Sequence, residues 1–214
     1  MSLNPNLSLA ALTKALAEHS PVLQPPDGRP QASVALILRS TGPSFELLFI
    51  EWATHPNDPW SGHIAFPGGR LETADPCIQT TAERETQEEI GIALDRDACL
   101  GRLDDLSGVV GSVHVAGFVY TLDLVPSVKL NAEVVHAFWV PITTLTDPRR
   151  RTLHQFGMET GQRAFPALNI FGTGHPLLWG LTYRFVAQLV GLIGDDLPLQ
   201  TAATVAATNP TPDG

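Results

Sequence analysis

The sequence contains little cysteine, little charge and no long apolar run. Cys77 and Cys99 are its only cysteines, so we predict no disulfide framework, and the reduced cytosol suits the chain. The longest apolar run, over residues 186–193, is far too short to span a bilayer. The first residues contain neither a basic segment nor an apolar block, so they do not resemble a secretory signal. We therefore expect a cytoplasmic protein without a membrane partner.

Basic residues are particularly scarce. The chain has 13 Lys and Arg residues against 22 Asp and Glu residues, which gives a formal net charge of −9. A nucleic-acid backbone is bound by a basic surface, so this balance argues against nucleic acid as a partner. A small anionic substrate is still compatible with it, because a few local cations or a bound metal ion can reverse the field inside one cleft.

Apolar residues, glycine and proline are abundant. Apolar residues make up 43% of the chain, enough for the core of one domain, and the 18 glycines and 18 prolines indicate many turns. Residues 1–30 are predicted to form an N-terminal helix, at 7–19, and a Pro-rich linker. Residues 31–194 are predicted to form the main domain. Residues 195–214 are expected to be a disordered tail.

Strands and helices mix in the main domain without a regular alternation of βαβ units. One helix is predicted at 76–90, with Asp75 as N-cap, Pro76 at the first helical position and Gly91 at the C-terminus. A second helix is predicted at 177–193. A hairpin and four later strands are predicted at 32–39, 46–53, 113–122, 134–140, 151–161 and 162–170. This mixture favours an α/β sandwich of the α+β type, in which helices cover a mixed central sheet.

The first of these helices carries carboxylates on its inner face. At 100° per residue, Glu85 and Glu89 continue its apolar stripe, with Glu88 beside them, whereas Glu83 and Gln87 are predicted to face solvent. Like charges near a protein interior are costly unless a cation lies among them. A hard divalent cation, Mg²⁺ or Mn²⁺, prefers such oxygen ligands. The alternative is a Glu-rich surface helix that binds no metal.

A glycine pair lies one short loop before that helix. Residues 66–69 read Phe-Pro-Gly-Gly, and Gly68 and Gly69 allow the backbone to approach a ligand closely. His63, just upstream, is a candidate substrate contact, and a structural role in the loop is the alternative. The glycine pair and the carboxylate cluster together favour a metal-dependent enzyme over a solvated helix.

At these residues the sequence resembles the Nudix family, whose box reads G-x5-E-x7-R-E-U-x-E-E-x-G-U, where U is a bulky apolar residue. Gly69 opens the match, and residues 84–92 complete it as Arg-Glu-Thr-Gln-Glu-Glu-Ile-Gly-Ile. Asp75 replaces the isolated glutamate, the segment before the arginine is one residue longer, and Thr86 replaces an aliphatic residue. The aspartate and the extra residue are similar to the coenzyme A pyrophosphatase-like branch, and the likeness extends over residues 32–193.

The resemblance implies a Nudix-like α/β/α sandwich and a metal-dependent hydrolase that splits a diphosphate linkage in a nucleoside-diphosphate derivative. It implies Mg²⁺ or Mn²⁺ as the cofactor. Glu85 and Glu89 would be the main metal ligands, and Glu88 would complete the set directly or through water. The carbonyl of Gly68 would supply a backbone oxygen.

The resemblance also implies roles for neighbouring residues. A glutamate of the box would be the general base, with Glu133 as a reserve candidate. Arg84 would orient the carboxylates by salt bridging. Gly68, Gly69 and His63 would contact the small-molecule diphosphate substrate. A homodimer is left open.

A second motif bears on the substrate. Coenzyme A hydrolases carry L-L-T-K-R-S-x3-R-x3-G-x3-F-P-G-G upstream, and here Gly62 and residues 66–69 are in place. Asp58 occupies the arginine position, and Trp52 and Ala53 occupy the basic pair, which weakens recognition of a phosphate-rich substrate. A coenzyme A-type substrate is still favoured. The alternatives are a nucleotide sugar, dinucleotide or oxidised nucleotide, and a regulator on the same scaffold that binds its ligand without catalysis.

Overall fold

A computed structural model describes residues 7–25, 27–54, 62–108, 113–124, 126–158 and 161–198, with only the backbone described at 158, 161 and 162. Asp58 and residues 199–214, most of the predicted tail, lie outside this part. The described residues form four α-helices and two short 3-10 helices, Arg96–Ala98 and Pro148–Arg150. The α-helices are α1 Leu9–Glu18, α2 Ile78–Ile90, α3 Ile142–Leu145 and α4 Gly180–Leu192.

The strands divide between a large sheet and a small one. The large sheet contains β1 Gln31–Thr41, β2 Ser44–Trp52, β3 Ile64–Ala65, β4 Gly68–Arg70, β5 Cys99–Arg102, β6 Leu106–Ser107, β7 His114–Thr121 and β8 Val134–Pro141. The small sheet contains β9 Arg151–Met158, β10 Gly161–Leu168 and β11 Leu178–Trp179. The predicted hairpin and later strands are therefore present.

The large sheet is mixed. Its central path runs β3-β2-β1-β7-β5, and β4, β6 and β8 pair with β1, β7 and β2 respectively. β1 and β7 are parallel, whereas the other described pairs are antiparallel. Helices cover both faces of this sheet, with α2 on one face and α1 and α4 on the other. The predicted fold class, an α/β/α sandwich with a mixed central sheet, is thus confirmed.

Alternating residues of β1 separate two apolar cores. Ala35 and Ile37 pack beneath α2 with Ala82 and Ile90, whereas Leu36 and Leu38 pack on the other face with α1 and α4. This separation follows from the two-residue period of a strand, which sends successive side chains to opposite faces. One face of β1 is therefore directed toward the carboxylate helix.

The N-terminal helix packs into the main core. Leu12 and Leu16 of α1 are buried in the same cluster as α4, as the apolar spacing of the sequence indicates. The described chain also extends beyond residue 194, where the tail was expected to begin. Leu197 is buried in this cluster, and the hydroxyl of Tyr183 donates to the carbonyl of Pro198, so contacts with the main domain extend to residue 198. Among the described helices, none is long and apolar enough to cross a membrane.

Two helix starts differ from the sequence prediction. α2 begins at Ile78 with Cys77 as its N-cap, so Asp75 is not the N-cap and Pro76 is not its first residue. The carboxylate of Asp75 instead accepts hydrogen bonds from Arg84 and Thr81. These tertiary hydrogen bonds outweigh the local preference of aspartate for the N-cap position. The last helix begins at Gly180, because residues 178–179 pair with β10 as a strand. Gly91 ends α2 in the left-handed conformation, as predicted.

Candidate active site

The carboxylate helix is fixed at its C-terminus by a neighbouring segment. The amide of Lys129 donates to the carbonyl of Ile90 at 2.9 Å, and the amide of Asn131 donates to the carbonyl of Glu89 at 3.0 Å. Both are helix-end carbonyls that would otherwise need another partner. The segment that supplies these amides leads into Glu133, so the packing brings the start of β8 to the carboxylate face of α2.

Glu89 is the most deeply buried acid of this helix. Its side chain is 1% exposed, and one carboxylate oxygen, Oε2, accepts the backbone N–H of Gly68 at 2.9 Å. The other oxygen, Oε1, has no hydrogen-bond partner among the described residues. Burial, only partly offset by the Gly68 hydrogen bond and reinforced by the charges of Glu85, Glu133 and Glu88, raises the pKa of Glu89 to about 8.

Glu85 occupies the space that the missing side chain of Gly69 leaves. A Cβ built on Gly69 would overlap the Glu85 carboxylate, and one built on Gly68 would overlap the backbone of Ser33 and Val34. At Gly68 the clash is with backbone, so only glycine permits this approach of β4 to β1, whereas at Gly69 the Glu85 carboxylate would have to move. Burial raises the pKa of Glu85, opposed by the neighbouring Arg84.

Arg84 connects three carboxylates. Its Nη1 lies 3.0 Å from Glu85 Oε1 and 3.1 Å from Glu88 Oε2, and its Nε lies 3.0 Å from Asp75 Oδ1. Its Nη2 also donates to the carbonyl of Arg70 at 3.2 Å. Arg84 therefore joins α2 to β4 and to the loop between them.

Glu133 lies close enough to the cluster to influence it. Its charge contributes to the raised pKa of Glu89, and its carbonyl accepts the N–H of Ala53 at 2.7 Å. Its side chain is exposed. The structure therefore places Glu85, Glu88, Glu89, Arg84 and Glu133 in one neighbourhood.

Glu83 was predicted to face solvent, and this prediction is wrong. Its carboxylate accepts the hydroxyl of Tyr120 at 3.0 Å and pairs with Arg96 at 3.1 Å. Gln87 is exposed, as predicted. Thr86, which replaces the usual aliphatic residue, is fully buried and donates its hydroxyl to the carbonyl of Ala82 at 2.7 Å. Because the helix satisfies this hydroxyl, threonine fits a position that otherwise takes an apolar side chain.

The donor set fits a hard divalent cation in its chemistry. Glu89 offers a buried oxygen without a described partner, and Glu85 lies against the bare backbone of Gly69. Such oxygens are the ligands that Mg²⁺ and Mn²⁺ prefer. Within the described ranges, however, no three His, Cys, Asp or Glu side chains are gathered as a formed metal site. Arg84 pairs there with Glu85 and Glu88 instead.

A cavity of about 370 Å³ adjoins Gly68 and Gly69. His63 and Trp179 contribute to its lining, with ring centroids 5.2 Å apart in an edge-to-face arrangement. The described lining residues include no acid, and Ala32 and Val34 of the lining pack with the core on the α4 side of the sheet, opposite α2. The rest of the lining is mainly apolar, with Ala32, Val34, Phe66, Val113, Val115 and Phe185.

Two residues near the site were missed by sequence reasoning. Asp75 accepts hydrogen bonds from Arg84, Thr81 and the Glu72 amide, so it holds Arg84 in place. Arg70 lines the cavity, and within the described part of the chain its guanidinium has no ion pair or hydrogen bond. The sequence signal for Asp75 was its position in the box, whereas Arg70 follows the glycine pair without a distinguishing pattern.

Replacing Gly69 by alanine is expected to disturb the site while sparing the fold. The added methyl group would displace the Glu85 carboxylate, and misplacement of a catalytic group by about 1 Å can lower turnover about a hundredfold. We expect Gly69→Ala to lower kcat by about tenfold to a hundredfold. The matched control is Gly157→Ala, since Gly157 lies in β9 and an added Cβ there meets nothing within 4 Å. Equal turnover of the two variants would show that this contact is unimportant.

Comparison with known proteins gives several relatives of this chain. An uncharacterised protein of Schizosaccharomyces pombe is 35% identical over 114 residues, which cover 50% of this chain and 35% of that protein. The human mitochondrial coenzyme A diphosphatase NUDT8 is 32% identical over 60% of this chain and 56% of its own length. The uncharacterised Nudix hydrolase NudL of Photorhabdus laumondii is 31% identical over 60% of this chain and 67% of its own. The chain thus spans between about a third and two thirds of these relatives.

Solved structures of similar proteins are more distant. The Caenorhabditis elegans Ap4A hydrolase in a binary complex is 20% identical, with a TM-score of 0.43 over 53% of this chain and 80% of that one. The Nudix domain of Shewanella oneidensis NrtR bound to ADP ribose is 16% identical, with a TM-score of 0.46 over 61% and 82% of the two chains. The sequence model of the NUDIX domain matches residues 28–158, more than half of the 214 residues. This match includes the glycine pair and the carboxylate helix, and it shows that the chain belongs to the Nudix family.

Proposed function

We propose that this protein hydrolyses a diphosphate linkage in a nucleoside-diphosphate derivative, with Mg²⁺ or Mn²⁺ as cofactor. The observation that carries the proposal is the carboxylate pair at the glycine loop. Glu89 is buried with one oxygen unpaired among the described residues, and Glu85 fills the space above Gly69. Arg84 pairs with Glu85, whereas no cation among the described residues pairs with the buried Glu89. A buried acid beside a second acid is unfavourable without a cation, so this arrangement favours a cation-binding role.

Glu85 and Glu89 are the proposed main metal ligands, with Glu88 completing the set directly or through water and the carbonyl of Gly68 as a backbone donor. When bound, the cation neutralises charge on the diphosphate and lowers the pKa of a coordinated water. Arg84 already pairs with Glu85 and Glu88. Its proposed role is to hold these carboxylates in position while the cation binds.

In the proposed reaction, a water oxygen bonds to one phosphorus and the bridging P–O bond breaks. A carboxylate of the box cluster accepts the proton of the attacking water, with Glu133 as the reserve candidate. The bridging oxygen leaves with the second phosphate. Hydrolysis consumes one water and needs no other reactant.

The cavity beside Gly68 and Gly69 is the proposed site for part of the substrate. Arg70 brings a guanidinium without a described ion pair to this wall, and arginine is well suited to bind phosphate oxygens. His63 is a proposed substrate contact there. The apolar walls suit an uncharged part of the substrate, as in most small-molecule sites.

A panel of diphosphate compounds tests the proposed function. Purified protein is incubated with Mg²⁺ or Mn²⁺ and with coenzyme A, a nucleotide sugar, a dinucleoside polyphosphate or an oxidised nucleoside triphosphate, and the released products are identified. Cation-dependent cleavage of at least one compound is expected. Tight binding of a compound without any product would favour a non-catalytic regulator. Absence of both cleavage and binding would contradict the proposal.

Coenzyme A, if it is cleaved at all, is expected to be a poor substrate with a high KM. Asp58 replaces the arginine of the upstream motif, and one charge-assisted hydrogen bond contributes roughly 1.5–3 kcal/mol. Its loss corresponds to about one to two decades in affinity. Asp58→Arg should therefore raise kcat/KM for coenzyme A more than for a substrate without an additional phosphate. Efficient cleavage by the unmodified protein at micromolar KM would contradict this interpretation of the loop.

A further inference from the structure

A second unpaired oxygen lies in the core near the carboxylates. Ser33 of β1 is completely buried, and its hydroxyl oxygen has no hydrogen-bond partner among the described residues. The two buried side-chain polar atoms without a partner in that part of the chain are this oxygen and Glu89 Oε1. A buried polar group without a partner is unfavourable and uncommon in folded proteins. Ser33 therefore needs an explanation beyond packing.

The strand register places Ser33 on the carboxylate side of the sheet. Ser33 lies directly opposite Gly69 in the antiparallel pair of β1 and β4, and opposed residues project from the same face. On that face, the Glu85 carboxylate fills the space where a Gly69 Cβ would lie. The two-residue period gives the same answer, because Ala35 and Ile37 of β1 pack beneath α2.

We propose that the hydroxyl of Ser33 is a positioning group for the cation site, donating a hydrogen bond to the Glu85 carboxylate when the site is loaded. This inference rests on the proposed function. Glu85 Oε1 is paired with Arg84 at 3.0 Å, and the Ser33 hydroxyl is without a described acceptor. A carboxylate that binds a cation through one oxygen keeps a second oxygen that needs orientation, and hydrogen bonds to ligating carboxylates supply it.

Serine is suited to this role by its size. The short serine side chain keeps its hydroxyl close to the strand, on the face where the Glu85 carboxylate lies beside Gly69. Replacing it by alanine removes an unpaired hydroxyl, so the metal-free protein should lose no stability.

Ser33→Ala and Ser33→Cys test the proposal. Cysteine fills at least the space of serine and is only a weak donor, so its comparison with alanine separates hydrogen bonding from packing. The control is Ser40→Ala on the same strand, where the exposed hydroxyl donates to the carbonyl of Gly42. Calorimetry measures the Mn²⁺ affinity of each variant, and thermal unfolding measures its melting temperature with and without Mn²⁺. Steady-state assays measure kcat and KM on a substrate that the unmodified protein cleaves.

Both Ser33 variants are expected to bind Mn²⁺ about three- to tenfold more weakly, the worth of one hydrogen bond. Their kcat should fall with KM unchanged, their metal-free melting temperature should not fall, and Ser40→Ala should match the unmodified protein. Unchanged Mn²⁺ affinity in both Ser33 variants would overturn the inference and leave the proposed function intact. Weaker binding in Ser33→Ala alone, or a lower metal-free melting temperature in both, would show a packing role and also overturn it. An unmodified protein that binds no Mn²⁺ would overturn the inference together with the proposed function.

Discussion

In the Glu89→Gln variant, turnover is expected to fall at least about a hundredfold while the fold remains intact. The substitution removes the charge of a proposed metal ligand and preserves the volume of a side chain that is 1% exposed. The amide oxygen of glutamine can still accept the N–H of Gly68, which now binds Glu89 Oε2 at 2.9 Å. The loss of activity would therefore come from the charge and not from unfolding.

The same variant is expected to be more stable than the unmodified protein when metal is absent. The pKa of Glu89 rises from its ordinary 4.5 to about 8 in the folded state. A carboxyl with a raised folded pKa costs stability progressively as pH increases from the unfolded value to the folded one. The advantage of Glu89→Gln in melting temperature should therefore be small at pH 5, grow through pH 6 and 7, and level off above about pH 8.

Thermal unfolding in the presence of a chelator measures this dependence, and steady-state assays with Mg²⁺ or Mn²⁺ measure turnover. The control is Glu18→Gln, the same chemical change at an exposed position near the end of α1. Glu18→Gln should change neither the melting temperature nor the turnover. Near-normal turnover in a folded Glu89→Gln protein would exclude Glu89 as a metal ligand. A pH-independent change in melting temperature would show that Glu89 titrates normally in the free protein.

Local sequence rules predicted those elements whose own residues determine them. The β1–β2 hairpin follows from two β-rich runs around a short turn, and the end of α2 follows from Gly91, which adopts the left-handed conformation. The inward direction of Glu89 follows from helical periodicity alone. For these features the local preference and the tertiary structure agree, and the prediction was correct.

Tertiary contacts decided the features that sequence reasoning missed. Asp75 has the chemistry of an N-cap, yet its carboxylate binds Arg84 and Thr81. Glu83 has the pattern of a solvent-facing residue, yet it is bound by Tyr120 and Arg96 from distant elements. Ser33 acquires a candidate role only through its register opposite a glycine that lies 36 positions later in the sequence. Such partners cannot be identified from the spacing of residues within one element.

The second large effect is expected for Asp75→Asn, because Asp75 is the buried partner of Arg84. The Asp75 side chain is 3% exposed and that of Arg84 is 23% exposed. Four hydrogen bonds reach the Asp75 carboxylate, from Arg84 Nε and Nη2, the Thr81 hydroxyl and the Glu72 amide. An asparagine amide group would direct N–H donors toward some of these donors. Breaking one side of a buried ion pair costs about 3–5 kcal/mol, and the partial exposure of Arg84 reduces this to about 2–3 kcal/mol.

Activity should fall as well, since Arg84 also binds Glu85 and Glu88. The matched control is Asp147→Asn, which alters an Asp–Arg pair whose partner, Arg149, is 85% exposed. A surface pair of this kind contributes about 0–1 kcal/mol. Denaturant unfolding should therefore show a large decrease in the free energy of unfolding for Asp75→Asn and a small decrease for Asp147→Asn. Equal decreases would mean that the Asp75–Arg84 pair contributes no more than a surface pair.

The difference in unfolding free energy between the unmodified protein and Asp75→Asn should depend on pH, which provides an independent check. The hydrogen bond from Arg84 holds the pKa of Asp75 well below its usual range, and the unfolded value is about 3.9. A carboxyl with a lowered folded pKa contributes stability that is fully present above the unfolded value and is lost as pH falls toward the folded one. The gap between the unmodified protein and Asp75→Asn should thus be constant from about pH 5 to 8 and shrink below about pH 4. If the gap persists unchanged at pH 3, the stabilisation comes from packing at this position and not from the carboxylate charge.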